Sequence, residues 1–119
     1  MIRIMDAMAA LAHAVHRLQR DRDVSTALGY VLTPLRRYDR RHNGDLVRTL
    51  LAYLEVGGSV AGTADRLFLH RNSVLYRLQR IEEVSGLDLR QPGLRRLLLV
   101  AIAIAQPDET LPGEWGNAD

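Results

Sequence analysis

His70, Arg71, Asn72 and Ser73 stand together in the chain, and Tyr76, Arg77 and Arg80 follow at helical spacing. An Asn side chain can bond an adenine edge twice, and an Arg can do the same to guanine. Ser, Tyr and further Arg suit phosphate oxygens. On a helix beginning near residue 71 these side chains share one face. The opposite face carries Val74, Leu75, Leu78 and Ile81, spaced as one buried stripe. The first turn of such a helix is the end that enters a DNA major groove. Its positive dipole end also favours nearby phosphate. The plainer reading is a solvated, Arg-rich face on an ordinary helix, and pattern alone leaves both open.

Positioning that face requires a partner helix and a tight turn. Ser59 follows the breaker pair Gly57-Gly58 and sits where a helix N-cap belongs. Val60, Ala64, Leu67 and Phe68 recur at helical spacing and predict one apolar stripe over residues 59–68. Ala64 is small where two helices of a helix-turn-helix must cross closely. Leu69 and His70 make the turn, residues 71–85 form the second helix, and Gly86 stops it. Ser59 and Thr63, at the start of the first helix, join the candidate phosphate contacts. His70 either donates to a phosphate or base, or fixes the turn by bonding backbone. Arg77 either contacts phosphate or pairs with Asp65 across the two helices. Phe68 occupies a turn position where many such motifs place Gly.

A long run of the chain resembles the C-terminal helix-turn-helix domain of PucR/CdaR-like bacterial transcription regulators. The run starts near Val31-Leu32-Thr33-Pro34-Leu35 and Tyr38-Asp39 and continues through Asp45-Leu46-Val47-Arg48-Thr49-Leu50, Tyr53-Leu54 and Gly57-Gly58-Ser59-Val60. Its strongest block is His70-Arg71-Asn72-Ser73, with Tyr76-Arg77-Leu78, Ile81-Glu82-Glu83 and Gly86-Leu87-Asp88-Leu89 behind it. Ser73 stands where family members usually have Thr, which keeps the hydroxyl. His42-Asn43, with Gly44 one place later, stands where they often have His-Gly. A looser similarity, in the turn and second helix only, is to Fis-like helix-turn-helix proteins. The resemblance implies sequence-specific binding of double-stranded DNA in a transcription regulator. In such regulators a sensory domain lies N-terminal to this one. Nothing like it fits before Val31, so the chain is expected to be a DNA-binding fragment of a longer regulator, with a short stand-alone protein as the alternative.

Composition narrows the remaining classes. A chain of 119 residues makes one domain with room for a core and for one extra N-terminal helix. Without cysteine there is no disulfide framework, zinc finger or cysteine nucleophile, which suits the expected cytoplasmic location. All 16 basic residues are Arg, best explained by GC-rich coding. The net charge is +2, but residues 106–119 hold four acids and no base, which leaves +6 on residues 1–105. Arg36, Arg37, Arg40 and Arg41, and then Arg66, Arg71, Arg77 and Arg80, form two candidate phosphate-facing clusters. The apolar run 97–105 is far short of the ~20 residues that cross a bilayer, and no membrane contact is expected. His13 and His16 lie three apart, but no third ligand stands at motif spacing, so neither metal nor cofactor is expected. Glu82 and Glu83 are adjacent and diverge on a helix. The Gly57-Gly58 pair lacks the Lys of a phosphate-binding loop. The chain is not expected to be an enzyme.

Along the chain, Met1, Ile4, Met8, Leu11, Val15 and Leu18 are spaced 3, 4, 3, 4, 3, an a/d stripe over residues 1–20. The stripe is either packed on its own domain or forms a dimerising coil or stalk. Residues 24–38 read as a helix with Val24, Leu28, Val31, Leu32 and Leu35 on one side, and Pro34 predicts a kink or boundary inside it. Residues 40–43 read as polar loop. Residues 45–56 form a helix with Leu46, Leu50, Leu51 and Leu54 inward. Leu87 and Leu89 anchor a loop that ends at Gln91-Pro92-Gly93, and residues 94–105 are a core helix. Residues 106–119 read as a disordered acidic tail, with Trp115 unexplained.

The expected fold is therefore all-α, a bundle of about six helices containing a helix-turn-helix. Residues 1–23 form an N-terminal amphipathic segment for dimerisation or linkage, residues 24–105 the DNA-binding domain, and residues 106–119 the tail. Arg71, Asn72 and Ser73 are the expected base readers. Tyr76, Arg77, Arg80, Ser59 and Thr63 are the expected phosphate contacts, and His70 lies between the two sets. A single module binds weakly, so a homodimer on paired half-sites is expected. The alternative is a helical protein-interaction module in which the helix-turn-helix is only scaffold.

Overall fold

The computed structural model describes residues 3–105. Met1 of the heptad stripe and the tail at 106–119, with Trp115, lie outside the described residues. Within them the leucine stripes set the architecture. Six helices follow in order: α1 (Ile4–Gln19), α2 (Arg22–His42), α3 (Leu46–Glu55), α4 (Val60–Leu67), α5 (Arg71–Ser85) and α6 (Pro92–Ala105). The fold is all-α.

One core joins α2 to α6. It holds Leu28, Leu32 and Leu35 of α2, Leu46, Val47, Leu50, Tyr53 and Leu54 of α3, Ala64 of α4 and Val74, Leu78 and Ile81 of α5. Leu89 of the α5–α6 loop and Leu98 and Ile102 of α6 complete it. Leu50 lies fully buried on α3, which packs against α2, α4, α5 and α6. Each such leucine contributes about 1.5–3 kcal/mol of burial free energy. α1 is different: it touches α6 and α2 but buries none of its residues.

Several boundaries differ from the pattern-based reading. α2 runs unbroken through Pro34 to His42, so residues 40–42 are helix rather than loop. Proline removes a donor and clashes one turn back, yet Leu28, Leu32 and Leu35 are all buried on this helix. Burial on both sides of Pro34 holds the helix together. α2 ends at Asn43, which takes the left-handed conformation at φ 51°. α6 begins at Pro92, not at residue 94, since Pro is suited to a first helical position whose amide has no intrahelical partner. Only part of α6 is core: Leu98 and Ile102 are buried, whereas Leu97, Leu99 and Val100 are exposed. Phe68 and Leu75, assigned to buried stripes above, are exposed as well, at 93% and 43%.

Candidate nucleic-acid interface

The helix-turn-helix is built from α4, the three-residue turn Phe68-Leu69-His70 and α5. Ser59 caps α4, its hydroxyl accepting the Gly62 amide at 2.9 Å. Thr63 is fully buried one turn on, and its hydroxyl donates to the Ser59 carbonyl at 2.7 Å. That corrects its assignment as a phosphate contact, because the group faces the core and is already bonded. Ala64 is buried where α4 meets the rest of the core. The turn closes with the Leu69 amide donating to the Ala64 carbonyl at 3.0 Å across Phe68, which sits at φ 56° and ψ 45°. Such a left-handed helix stop is usually glycine.

His70 caps α5. Its Nδ1 accepts the Asn72 amide at 3.0 Å, so one ring nitrogen fixes the turn. With Nδ1 accepting, a neutral ring carries its proton on Nε2. Val74, Leu78 and Ile81 bury the inner face of α5, and Gly86 ends it at φ 80°. The outer face begins with Arg71, Asn72 and Ser73, all exposed. Tyr76 is exposed next to them.

The two remaining arginines of this face are engaged internally. Arg77 donates to the Thr49 hydroxyl at 3.4 Å and lies 3.6 Å from the Asp45 carboxylate. Its carboxylate partner is on the α2–α3 side and not Asp65 of α4. Arg80 donates to the Tyr76 hydroxyl at 3.0 Å and to Glu83 at 3.0 Å. Its guanidinium also lies 5.9 Å from the Tyr38 ring and 5.5 Å from the Tyr76 ring. The bond to Tyr76 is the largest cause of an Arg80 pKa raised above the ordinary arginine value.

These contacts bring α5 against a segment that pattern reading treated as a plain loop. A groove of about 470 Å³ is lined by Asn43, Gly44 and Asp45 on one side and Asn72, Ser73, Tyr76 and Arg77 on the other. Asp39 fixes the far wall. Its carboxylate accepts the Leu46 amide at 2.8 Å and the Val47 amide at 3.1 Å, capping α3 from within α2. Asp45, the residue just before α3, makes no side-chain cap bond. The role of Asp39 was missed from sequence because it depends on two helices meeting. The glutamates also separate in function: Glu82 accepts the Leu89 amide at 2.8 Å and ties down the following loop, while Glu83 answers Arg80.

Arg66 at the end of α4 pairs with Glu55 of α3 at 2.7 Å, which removes it from the second basic cluster. Arg37, Arg40 and Arg41 of the first cluster are exposed on α2. No helix among the described residues is long and apolar enough to cross a membrane.

Known proteins share the sequence of this helix-turn-helix region. The PucR C-terminal helix-turn-helix domain family matches residues 46–104, which run from the start of α3 almost to the end of α6. The carbohydrate diacid regulator of Escherichia coli is 44% identical over 63 residues, 53% of this chain and 16% of that protein. The purine catabolism regulatory protein of Bacillus subtilis is 38% identical over 63 residues, 53% of this chain and 12% of that protein. The DNA-binding transcriptional activator AdeR of Bacillus subtilis is 30% identical over 79 residues, 66% of this chain and 19% of that protein. The chain thus spans less than a fifth of the length of these relatives. No solved structure matches it. The chain belongs, through residues 46–104, to the family of the PucR C-terminal helix-turn-helix domain.

Proposed function

We propose that this chain binds double-stranded DNA sequence-specifically as the DNA-binding part of a transcription regulator, with α5 in the major groove. The observation that carries the reading is the first turn of α5. Arg71, Asn72 and Ser73 are exposed there, and among the described residues their side chains have no internal hydrogen-bond or ion-pair partner. They are the base readers in this reading. Ser59, Tyr76 and His70 through Nε2 contact phosphate. Arg77 and Arg80 support them, Arg80 by orienting the Tyr76 hydroxyl. The exposed arginines of α2 add attraction along the backbone. The protein acts in the cytoplasm, as a homodimer that doubles a single weak module.

A second reading, a helical interaction module, is favoured by the exposed apolar stripe of α1, where Ile4, Met8 and Leu11 are 63–78% exposed. Salt separates the two. Fluorescence anisotropy would compare the DNA upstream of the protein's own coding region with a scrambled duplex, each titrated with salt. Phosphate contacts make log affinity fall linearly with log salt, and the preference for the upstream DNA persists at physiological salt. Asn72→Ala reduces that preference by about 1–3 kcal/mol. Equal, weak binding to both duplexes, abolished by salt and indifferent to Asn72→Ala, would overturn the DNA reading and leave the interaction module.

A further inference from the structure

Phe68 breaks two local rules at once. It is an aromatic residue held in the left-handed region, at φ 56°. It is also the most exposed large hydrophobic side chain among the described residues, at 93%. A side chain in water contributes almost nothing to the core, and its backbone is strained relative to glycine. Nothing in the fold requires a ring at this place. The turn itself needs only the Leu69 amide bond to the Ala64 carbonyl, which any residue able to adopt the angle permits.

The ring stands in solvent, close in sequence to the exposed first turn of α5. Phe68 lies three residues before Arg71, so its backbone is within about 11 Å of the first reader on α5. His70, between them, holds the start of α5 by accepting the Asn72 amide. The ring is therefore carried on a fixed turn at the groove-entering end of the recognition helix. What a major groove offers to an apolar group is the C5 methyl of thymine.

We infer that Phe68 is a specificity-determining residue that packs against a thymine methyl at the edge of the bound site. The inference deepens the DNA-binding reading and rests on it. It assigns the strained turn a purpose: the left-handed backbone directs the ring away from the core and towards the duplex.

The test uses the full chain and a duplex that the wild-type chain selects from a random-sequence pool. The duplex is prepared once with thymine and once with every thymine replaced by deoxyuridine, which removes only the methyl groups. Phe68→Gly is the partner variant, since glycine adopts the same angle without strain. The variant is expected to keep its helical circular dichroism and a Tm at or above that of the wild type. Its affinity for the thymine duplex falls, and it no longer distinguishes the two duplexes at the contacted step. The wild type loses roughly fourfold per methyl removed from contact. An identical thymine-to-deoxyuridine ratio in both proteins, or an unchanged affinity of Phe68→Gly for the thymine duplex, overturns the inference while leaving the DNA reading intact. Failure of the wild type to select any duplex overturns both readings together.

Discussion

Asp39 accepts from the backbone amides of Leu46 and Val47 at 2.8 and 3.1 Å. These are the first two residues of α3, whose amides have no partner within the helix. The carboxylate therefore satisfies two donors and ties α2 to α3 in one step. Asp39→Ala is expected to cost about 1–3 kcal/mol of stability, seen as a fall in Tm of roughly 4 °C per kcal/mol. Asp45→Ala is the control. That carboxylate caps nothing and is half-exposed beside Arg77 and Arg48, so its loss is expected within about 0.5 kcal/mol. Equal losses would mean that the helix is capped locally after all. The contrast also explains what the sequence left hidden. Gly44-Asp45 is the local signal for a helix start, and it locates α3 correctly. The residue that performs the capping stands seven positions upstream on another helix, where no spacing rule looks. Arg77 follows the same logic. Helical spacing placed it correctly on the outer face of α5, but its choice of Asp45 over Asp65 depends on how α3 crosses α5.

At the scale of elements, helix existence was legible and helix ends were less so. The stripes of α3, α4 and α5 identify them directly. Pro34 misled because its local cost is real, while the burial of Leu28, Leu32 and Leu35 that outweighs it belongs to the tertiary structure. Phe68 misled in the opposite sense, since an aromatic at stripe spacing reads as core. The corner between α3 and α4 shows how closely such junctions are fitted. Gly57 and Gly58 both have positive φ, at 69° and 83°. A Cβ on Gly57 meets nothing within 4 Å, whereas one on Gly58 falls 2.5 Å from Nε and 2.7 Å from Cζ of Arg95. Arg95 is not free to swing aside without loss. It donates to the Leu89 carbonyl at 2.8 Å and lies 5.9 Å from the Tyr53 ring. Gly57→Ala is expected to cost about 1–2 kcal/mol from backbone strain alone. Gly58→Ala should cost about 1 kcal/mol more, as the Arg95 bond is displaced. Urea unfolding measures both. In an Arg95→Ala background the two glycine substitutions should become equivalent, and a surviving difference would show that Arg95 is not the obstacle.

At the scale of the whole molecule, the described residues extend 50 Å along one axis and 27 Å along the others. α1 lies against α6 and α2 without burying a single side chain. Its heptad positions Ile4, Met8, Leu11, Val15 and Leu18 all remain exposed, and Leu97 and Val100 of α6 add further apolar surface. Two and a half heptads are marginal as an isolated coil, so a stable pairing needs the α6 residues as well as the α1 seam. In the proposed homodimer a second copy would supply both surfaces at once, because a two-fold interface uses the same patch twice. Such pairing would also offset the weakness of a single module on the proposed DNA-binding reading. Linking two modules raises apparent affinity for paired half-sites by about 10²–10⁴ when the geometry permits both to engage. Leu11→Asp places a charge in the middle of the seam at a position too exposed to affect the core. The variant is expected to keep the helical circular dichroism and Tm of the wild type, to sediment as a monomer, and to lose about 10² or more in affinity for a two-half-site duplex. Its affinity for a single half-site should stay as it was. A wild-type chain that itself sediments as a monomer at its highest soluble concentration, or a variant that binds the paired site as well as the wild type, would overturn the proposed seam between copies.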